Sequence, residues 1–254
     1  MSVLLSDLQD GILTLTFNRP ERANAFNLAL IKALQEALRR AAAEDTVRCV
    51  VLMGNGRAFG AGQDLEEIQA AAGTSIREHL QQTYNPLILQ LRHLEKPVLA
   101  AIHGACAGAS LGVALACDLR IAAAGTRFVV GFNGIGLVPD SGVSLFLPLM
   151  LGLGRATWLT WKNEPFSAEQ ALEWGIVQKV VPPEELGAAA REIAQQLIEG
   201  PQKAFALTKR AFNRAVFAHL ETILDYEAHL QEIAARDPEH LRRVQLFLER
   251  RKNA

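Results

Sequence analysis

The sequence predicts an α/β fold followed by a helical carboxy-terminal region. From residue 11 to about residue 130, strand patterns alternate with helical patterns, which is typical of a largely parallel sheet covered by helices. Beyond Pro139 the patterns are mostly helical, and from residue 200 onward they are helical throughout. We therefore predict an α/β core over residues 1–200 and a carboxy-terminal helical region over residues 201–254.

The elements follow from side-chain periodicity and capping residues. Apolar and threonine side chains alternate over residues 11–17, as in a strand with one buried face. Asn27 and Ser167 are placed to cap amphipathic helices, and Gly175 ends the second of these. Further helices are predicted over residues 64–94 and from about Pro183 onward. The predicted strands lie at residues 11–17, 47–53, 98–103 and 177–181 and near Leu119 and Phe128.

Composition and charge narrow the possible functions. Lys and Arg (26) nearly balance Asp and Glu (27), so no global field attracts nucleic acid or an anionic membrane. The amino terminus lacks the basic and apolar stretches of a signal peptide, and we expect a cytoplasmic protein. Three cysteines and six scattered histidines show no metal-ligand spacing, so no metal site is predicted.

Two glycine-rich motifs have competing interpretations. Residues 54–60, GNGRAFG, resemble a dinucleotide-binding fingerprint, but the third glycine comes one residue late and the next helix begins only at Asp64. Residues 108–112, GASLG, match the nucleophile elbow of α/β-hydrolases, which makes Ser110 a candidate nucleophile. No histidine follows before His219, and a serine nucleophile needs an imidazole base. Small residues here would also serve tight helix-on-strand packing.

The same two segments can bind a carbonyl oxygen. Residues 57–65 and 104–122 each place glycines where backbone N–H groups can approach a ligand, the second at a helix start. Two such donors form an oxyanion hole. A third segment, residues 134–152, places Asp140 among apolar side chains, where burial should raise its pKa. Such an acid beside an oxyanion hole suits proton transfer next to a carbonyl, although Asp140 could also be only a helix cap.

Three motifs together resemble the crotonase, or enoyl-CoA hydratase/isomerase, superfamily over nearly the whole chain. They are AGQD, the Gly/Ala segment that ends in ACDLRIA, and GLVPDSG. The resemblance implies a spiral of ββα units with carboxy-terminal helices for trimerisation, assembled as a homotrimer or as a hexamer of two trimers. It also implies an acyl-CoA thioester substrate and no separate cofactor. The oxyanion-hole donors then fall on the backbone amides of Gln63 and Ala109.

Departures from the hydratase pattern favour an isomerase. Hydratases of the family carry two glutamates, and the corresponding positions here are Gly112 and Phe132. The remaining acid, Asp140, is similar to that of the family's isomerases. The expected reactions are isomerisation of 1,2-epoxyphenylacetyl-CoA to the oxepin thioester in phenylacetate catabolism and a 3-enoyl to 2-enoyl double-bond shift. The alternatives are a hydrolase that uses Ser110, another acyl-CoA enzyme of the same family, and a non-catalytic acyl-CoA-binding protein.

The resemblance further implies where the substrate lies. The acyl pocket is expected at Tyr84, Phe132 and Gly112, with Trp158 and Trp161 as additional candidates. Cations of the tail could neutralise the CoA phosphates. The residues expected to bind CoA are Arg22, Ala23, Ala25, Ala61, Gln63, Asp64, Leu65 and Ile68, and the candidate tail cations are Lys203, Lys209 and Lys252.

Overall fold

The computed structural model describes residues 2–70 and 75–252, in which nine strands form two sheets. The strands are β1 (Leu4–Gln9), β2 (Ile12–Phe17), β3 (Cys49–Gly54), β4 (Val98–Ile102), β5 (Ala105–Ala107), β6 (Leu119–Ala123), β7 (Arg127–Val129), β8 (Phe166–Ser167) and β9 (Lys179–Val181). The α-helices are α1 (Leu28–Ala43), α2 (Leu65–Ala70), α3 (Ile76–Gln82), α4 (Tyr84–His93), α5 (Ala109–Ala116), α6 (Val143–Leu151), α7 (Leu153–Lys162), α8 (Ala168–Glu173), α9 (Leu186–Glu199), α10 (Gln202–Val216), α11 (Leu220–Ala235) and α12 (Pro238–Lys252).

The larger sheet has six strands in the order β1-β2-β3-β4-β6-β9. Only β1 runs antiparallel to its neighbour, and the remaining pairs are parallel. The chain returns through helices between successive parallel strands, which is the connection that parallel pairing requires. The smaller sheet joins β5, β7 and β8 beside the larger one. The predicted α/β class is therefore confirmed.

Strand β1 was missed because its side chains do not alternate. Only Leu4 of the six residues is buried, as on a sheet edge that faces solvent. Asp10 and Gly11 join β1 to β2, with φ angles of 51° and 86°. An Asp-Gly pair is a strong hairpin signal because both residues tolerate positive φ angles. The sequence therefore contained a signal for this hairpin.

Both faces of the larger sheet are covered. Along β3, Val50 and Leu52 belong to the main core, whereas Cys49 and Val51 belong to a second cluster on the opposite face. Helix α9 closes this second cluster with small and branched side chains such as Ala194. Such two-sided burial explains why the central strands are continuously apolar.

The carboxy-terminal helices pack directly on the core. Buried Lys209 of α10 lies 2.7 Å from Asp118, which also pairs with buried Arg92 of α4 at 3.2 Å. Helix α11 contacts α3, α4 and α6. In the described part of the chain, no helix is long and apolar enough to cross a membrane. The boundary at residue 200 stays a prediction.

Candidate active site

A cavity of about 920 Å³ lies between the core and the carboxy-terminal helices. Helices α11 and α12 contribute to its wall, because Gln231 and Arg242 line it together with core residues. The cavity brings together nine of the residues that the sequence assigned to the site: Ala23, Ala25, Ala61, Gln63, Leu65, Tyr84, Ala109, Phe132 and Asp140.

The backbone amide of Gln63 is directed away from its neighbouring segment. The Phe26 amide donates to the Gly62 carbonyl at 2.7 Å, and the Asp64 amide donates to the Phe26 carbonyl at 2.8 Å. In a parallel bridge of this kind, the residue between the two bonded positions points its own N–H to the other side. The Gln63 N–H therefore has no acceptor among the described residues.

The backbone amide of Ala109 also has no acceptor among the described residues, for a different reason. Ala109 is the first residue of α5, and the N–H groups of a first helical turn have no acceptor within the helix. Gly108 precedes it with φ 54° and ψ −128°, a conformation that only glycine adopts readily. A Cβ on Gly108 would lie only 3.7 Å from the Gly62 Cα. The segments that carry the two amides thus touch, as a two-donor oxyanion hole requires.

The Ser110 side chain joins these two segments and is not free to react. Ser110 is fully buried, and its hydroxyl donates to the Gly60 carbonyl at 2.6 Å. The same hydroxyl accepts a hydrogen bond from the Ala107 amide at 3.0 Å. None of the described imidazoles is hydrogen-bonded to it. Ser110 therefore lacks the exposure and the base that a nucleophile needs.

The Asp140 carboxyl group lies at the cavity wall and is only 6% exposed. Its Oδ1 accepts from the Ser141 hydroxyl at 2.7 Å, and its Oδ2 accepts from Gln231 Nε2 at 2.6 Å. Burial raises the pKa of Asp140 to about 6, although these two hydrogen bonds lower it. Its side chain does not cap α6, whose N-cap residue is Gly142. The helix-cap alternative is therefore wrong.

Two polar residues of α11 support Asp140 and were not predicted. Gln231 is 1% exposed and donates to Asp140, and Glu227 is 2% exposed. Glu227 accepts from the Gly142 amide at 2.9 Å and from the Ser144 amide at 3.1 Å. Burial raises the pKa of Glu227 to about 7. A signal was available, because both residues interrupt the apolar face of an amphipathic helix.

The predicted acyl-pocket residues separate into two groups. Tyr84 and Phe132 line the cavity, and the Tyr84 hydroxyl donates to Gln63 Oε1 at 2.7 Å. Gly112 does not line it, because it packs against the Ser141 backbone so closely that a Cβ would lie 2.6 Å from the Ser141 carbonyl oxygen. Trp158 and Trp161 do not line it either, since their side chains lie on the exposed surface of α7.

Only some of the predicted CoA-binding residues line the cavity. Ala23, Ala25, Ala61 and Leu65 line the cavity with Gln63, whereas Arg22 and Asp64 do not. Arg22 pairs with Glu66 at 2.8 Å, and buried Asp64 pairs with Arg19 at 2.9 Å. The side chain of Ile68 lies outside the described residues.

The structure contradicts one of the three tail lysines proposed for the CoA phosphates. Lys209 is wrong as a candidate, because its ammonium group is buried against Asp118. Lys203 is exposed on α10 and does not line the cavity, and the Lys252 side chain lies outside the described residues. The cavity instead has three arginines that the sequence did not single out, namely Arg57, Arg242 and Arg243.

The cysteines contribute to the core rather than to the site. All three are buried and unbridged, and burial raises the thiol pKa of Cys49 and of Cys117 to about 12. Over residues 2–70 and 75–252, no group of three or more His, Cys, Asp or Glu side chains could hold a metal ion.

Comparison with known proteins identifies the family. The family model described as enoyl-CoA hydratase/isomerase matches residues 7–254. The chain is 39% identical to the 1,2-epoxyphenylacetyl-CoA isomerase of Escherichia coli (strain K12), over 99% of this chain and 97% of that protein. It is 38% identical to a protein of Rhodobacter capsulatus named "Probable enoyl-CoA hydratase", over 96% of this chain and 94% of that protein.

A solved structure supports the same conclusion. The crystal structure of an enoyl-CoA hydratase from Mycobacterium avium subsp. paratuberculosis K-10 matches with a TM-score of 0.89 and 31% identity, covering 98% of this chain and 96% of that one. This chain belongs to the enoyl-CoA hydratase/isomerase family. The expectation of a crotonase-like fold with a carboxy-terminal helical region is confirmed, and trimerisation stays a prediction.

Proposed function

We propose that this chain is an acyl-CoA isomerase that works through a thioester enolate. The observation that carries the proposal is the position of Asp140. Among the described residues that line the cavity it is the only carboxylic acid. Burial brings its pKa to about 6, so it can accept and return a proton near neutral pH.

In the proposed mechanism, the thioester carbonyl oxygen accepts hydrogen bonds from the Gln63 and Ala109 amides. Asp140 removes the proton from the carbon next to the carbonyl, and the two amides stabilise the negative charge that develops on oxygen. The protonated Asp140 then returns the proton farther along the acyl chain. The substrate neither gains nor loses atoms, so the reaction is an isomerisation.

Hydration is disfavoured because the site lacks the carboxylate pair that would activate water. The Gly112 position faces Ser141, and a side chain there would collide with the turn that carries Asp140. The Phe132 position contributes an apolar ring to the cavity. We infer that adding water to a conjugated enoyl thioester lacks its acid and base.

Two substrates follow from the proposal. The name of the Escherichia coli relative supports 1,2-epoxyphenylacetyl-CoA as the physiological substrate. We propose that this substrate is converted to the oxepin thioester in phenylacetate catabolism. A 3-enoyl-CoA, converted to the 2-enoyl isomer, needs the same proton removal. We also propose that Arg57, Arg242 and Arg243 face the CoA phosphates, and that the protein assembles as a homotrimer or as a hexamer of two trimers.

The substitution Asp140→Asn tests the proposal. It keeps the side-chain size but removes the base, so isomerase turnover should fall by roughly 10²-fold or more. Binding of a non-reactive acyl-CoA, measured by calorimetry, should survive. Asp45→Asn changes an exposed carboxylate that does not line the cavity and should leave turnover unchanged. Full turnover in the Asp140→Asn variant would exclude this mechanism.

A further inference from the structure

We infer that Gln231, on helix α11, is a positioning residue that holds the Asp140 carboxylate in its reactive orientation. The inference rests on the proposed role of Asp140 as the acid/base. It assigns to the carboxy-terminal helical region a part in the chemistry, in addition to its part in lining the cavity.

Gln231 is fixed at both ends of its amide. Its Nε2 donates to Asp140 Oδ2 at 2.6 Å, and its Oε1 accepts from the Val138 amide at 3.1 Å. The contact with Val138 determines which way the amide faces, because an N–H can donate only to the oxygen end. The NH₂ group is therefore directed at Asp140. The side chain is 1% exposed, so water does not compete for these bonds.

The turn that carries Asp140 needs such support. Ser141 and Gly142 have φ angles of 56° and 78°, and a left-handed conformation is strained for a serine. Glu227, one turn before Gln231 on α11, accepts from the Gly142 and Ser144 amides on the far side of the turn. Helix α11 thus holds residues 138–144 from both ends, and Gln231 is the member of this pair that touches the carboxylate.

Several other groups face Asp140 or its cavity. On its own segment, the Ser141 hydroxyl donates to Oδ1. From α11, the Glu227 carboxyl has its pKa raised by burial first, and the Asp140 charge adds to this effect. From α4, the Tyr84 phenol has its pKa raised by burial first and by the Asp140 charge second. The remaining charged or titratable groups that line the cavity are His79, Arg57, Arg242 and Arg243.

The substitution Gln231→Met tests the inference, because it keeps the length of the side chain and removes its hydrogen bonds. A hydrogen bond to a carboxylate favours the ionised form, so its loss makes Asp140 harder to ionise. We expect the midpoint of the rising limb of kcat/KM against pH to move upward by about one pH unit. At pH 6 the variant should lose more activity than at pH 8.5, whereas a merely structural defect would lower the whole profile evenly.

The substitution Gln231→Glu provides a second measurement of the kcat/KM midpoint if the methionine variant folds poorly. Two carboxyl groups at this distance cannot both ionise, so they share a proton and the midpoint should rise further than with methionine. Gln195→Met, which changes a glutamine of α9 bonded only to Glu199 among the described residues, should leave the profile unchanged.

The outcomes separate the inference from the proposed function. An inactive Asp140→Asn variant together with an upward shift in both Gln231 variants supports both. An inactive Asp140→Asn variant with an unmoved midpoint in both Gln231 variants overturns the role of Gln231 alone. A fully active Asp140→Asn variant overturns the proposed function and the inference with it.

Discussion

At the scale of single residues, the site depends on a buried carboxyl group whose environment balances two opposing effects. Burial of Asp140 disfavours the ionised form and raises its pKa, whereas hydrogen bonds from Gln231 and Ser141 stabilise the ionised form and lower the pKa. The sequence predicted the first effect, because Asp140 lies in an apolar segment. It did not predict Gln231, because this residue is 91 positions away in the chain and only the packing of α11 brings it to the carboxylate.

The pH dependence of the wild-type enzyme follows from this balance. In the proposed mechanism Asp140 must be ionised to accept a proton, and burial raises its pKa to about 6. We therefore expect kcat/KM for a 3-enoyl-CoA to rise with pH, with a midpoint near 6, and to level off above it. A midpoint at about 4, the ordinary pKa of an aspartate side chain, would show that burial does not control the ionisation of Asp140 in solution.

At the scale of elements, two glycine-containing segments carry the proposed backbone donors. The sequence identified both segments from their glycines, and the structure places Gly62 and Gly108 so near each other that a Cβ added to Gly108 would lie 3.7 Å from the Gly62 Cα. The contact itself could not be predicted, because it depends on how β5 and α5 lie beside residues 60–63. The secondary structure also argues against the dinucleotide-binding alternative. Residues 55–63 form a loop and α2 begins only at Leu65, so no helix amino terminus follows the glycine-rich turn directly, as that site requires.

The substitution Gly108→Ala should damage catalysis through the backbone. A Cβ there meets only ordinary contacts, so the cost of about 1–3 kcal/mol comes from the φ and ψ angles. Relaxation of this strain would redirect the Ala109 amide, and kcat should fall by roughly 10²–10³-fold. Gly125→Ala is the matched control, because Gly125 has φ 81° and a Cβ added to it would meet nothing within 4 Å. A variant of Gly108 as active as that of Gly125 would argue against the donor role of Ala109.

Ser110 offers a separate test at the same scale. Because its hydroxyl only joins two segments, Ser110→Ala should cost about 1–2 kcal/mol in the free energy of unfolding and should retain most of its isomerase activity. Chemical denaturation measures the first quantity and turnover of a 3-enoyl-CoA the second. A fluorophosphonate should not label the wild-type protein, and stoichiometric labelling at Ser110 would instead support a hydrolase.

At the scale of the whole molecule, the fold was more predictable than the assembly of the site. Periodicity predicted the alternation of strands and helices, because buried strands and amphipathic helices leave direct patterns. Strands β5 and β8 have only three and two residues, which is too short to leave a period. The sequence predicted the carboxy-terminal helices as a separate region, but α11 and α12 form part of the cavity wall. This contribution is a tertiary contact, which leaves no pattern in the sequence.

The ion pair between Lys209 of α10 and Asp118 of the core should help to hold the carboxy-terminal helices in place. Lys209→Met should lower the free energy of unfolding by about 1–3 kcal/mol, because the partly buried Asp118 carboxylate then keeps only Arg92 and the Val98 amide as partners among the described residues. KM for acyl-CoA should not change, since Lys209 does not line the cavity. Lys203→Met on the same helix, where the side chain is exposed, should change neither quantity. A raised KM in the Lys209 variant would restore it as a ligand of CoA.

The most direct test of an Asp140 isomerase without hydratase chemistry is to offer the purified enzyme 3-hexenoyl-CoA and, separately, crotonyl-CoA. The absorbance of the conjugated enoyl thioester is followed in both reactions. We expect it to appear with 3-hexenoyl-CoA, because one acid/base suffices for the double-bond shift, and to persist with crotonyl-CoA, because the positions of Gly112 and Phe132 provide no carboxylate to activate water. Rapid loss of the crotonyl-CoA absorbance, with no gain from 3-hexenoyl-CoA, would contradict this mechanism.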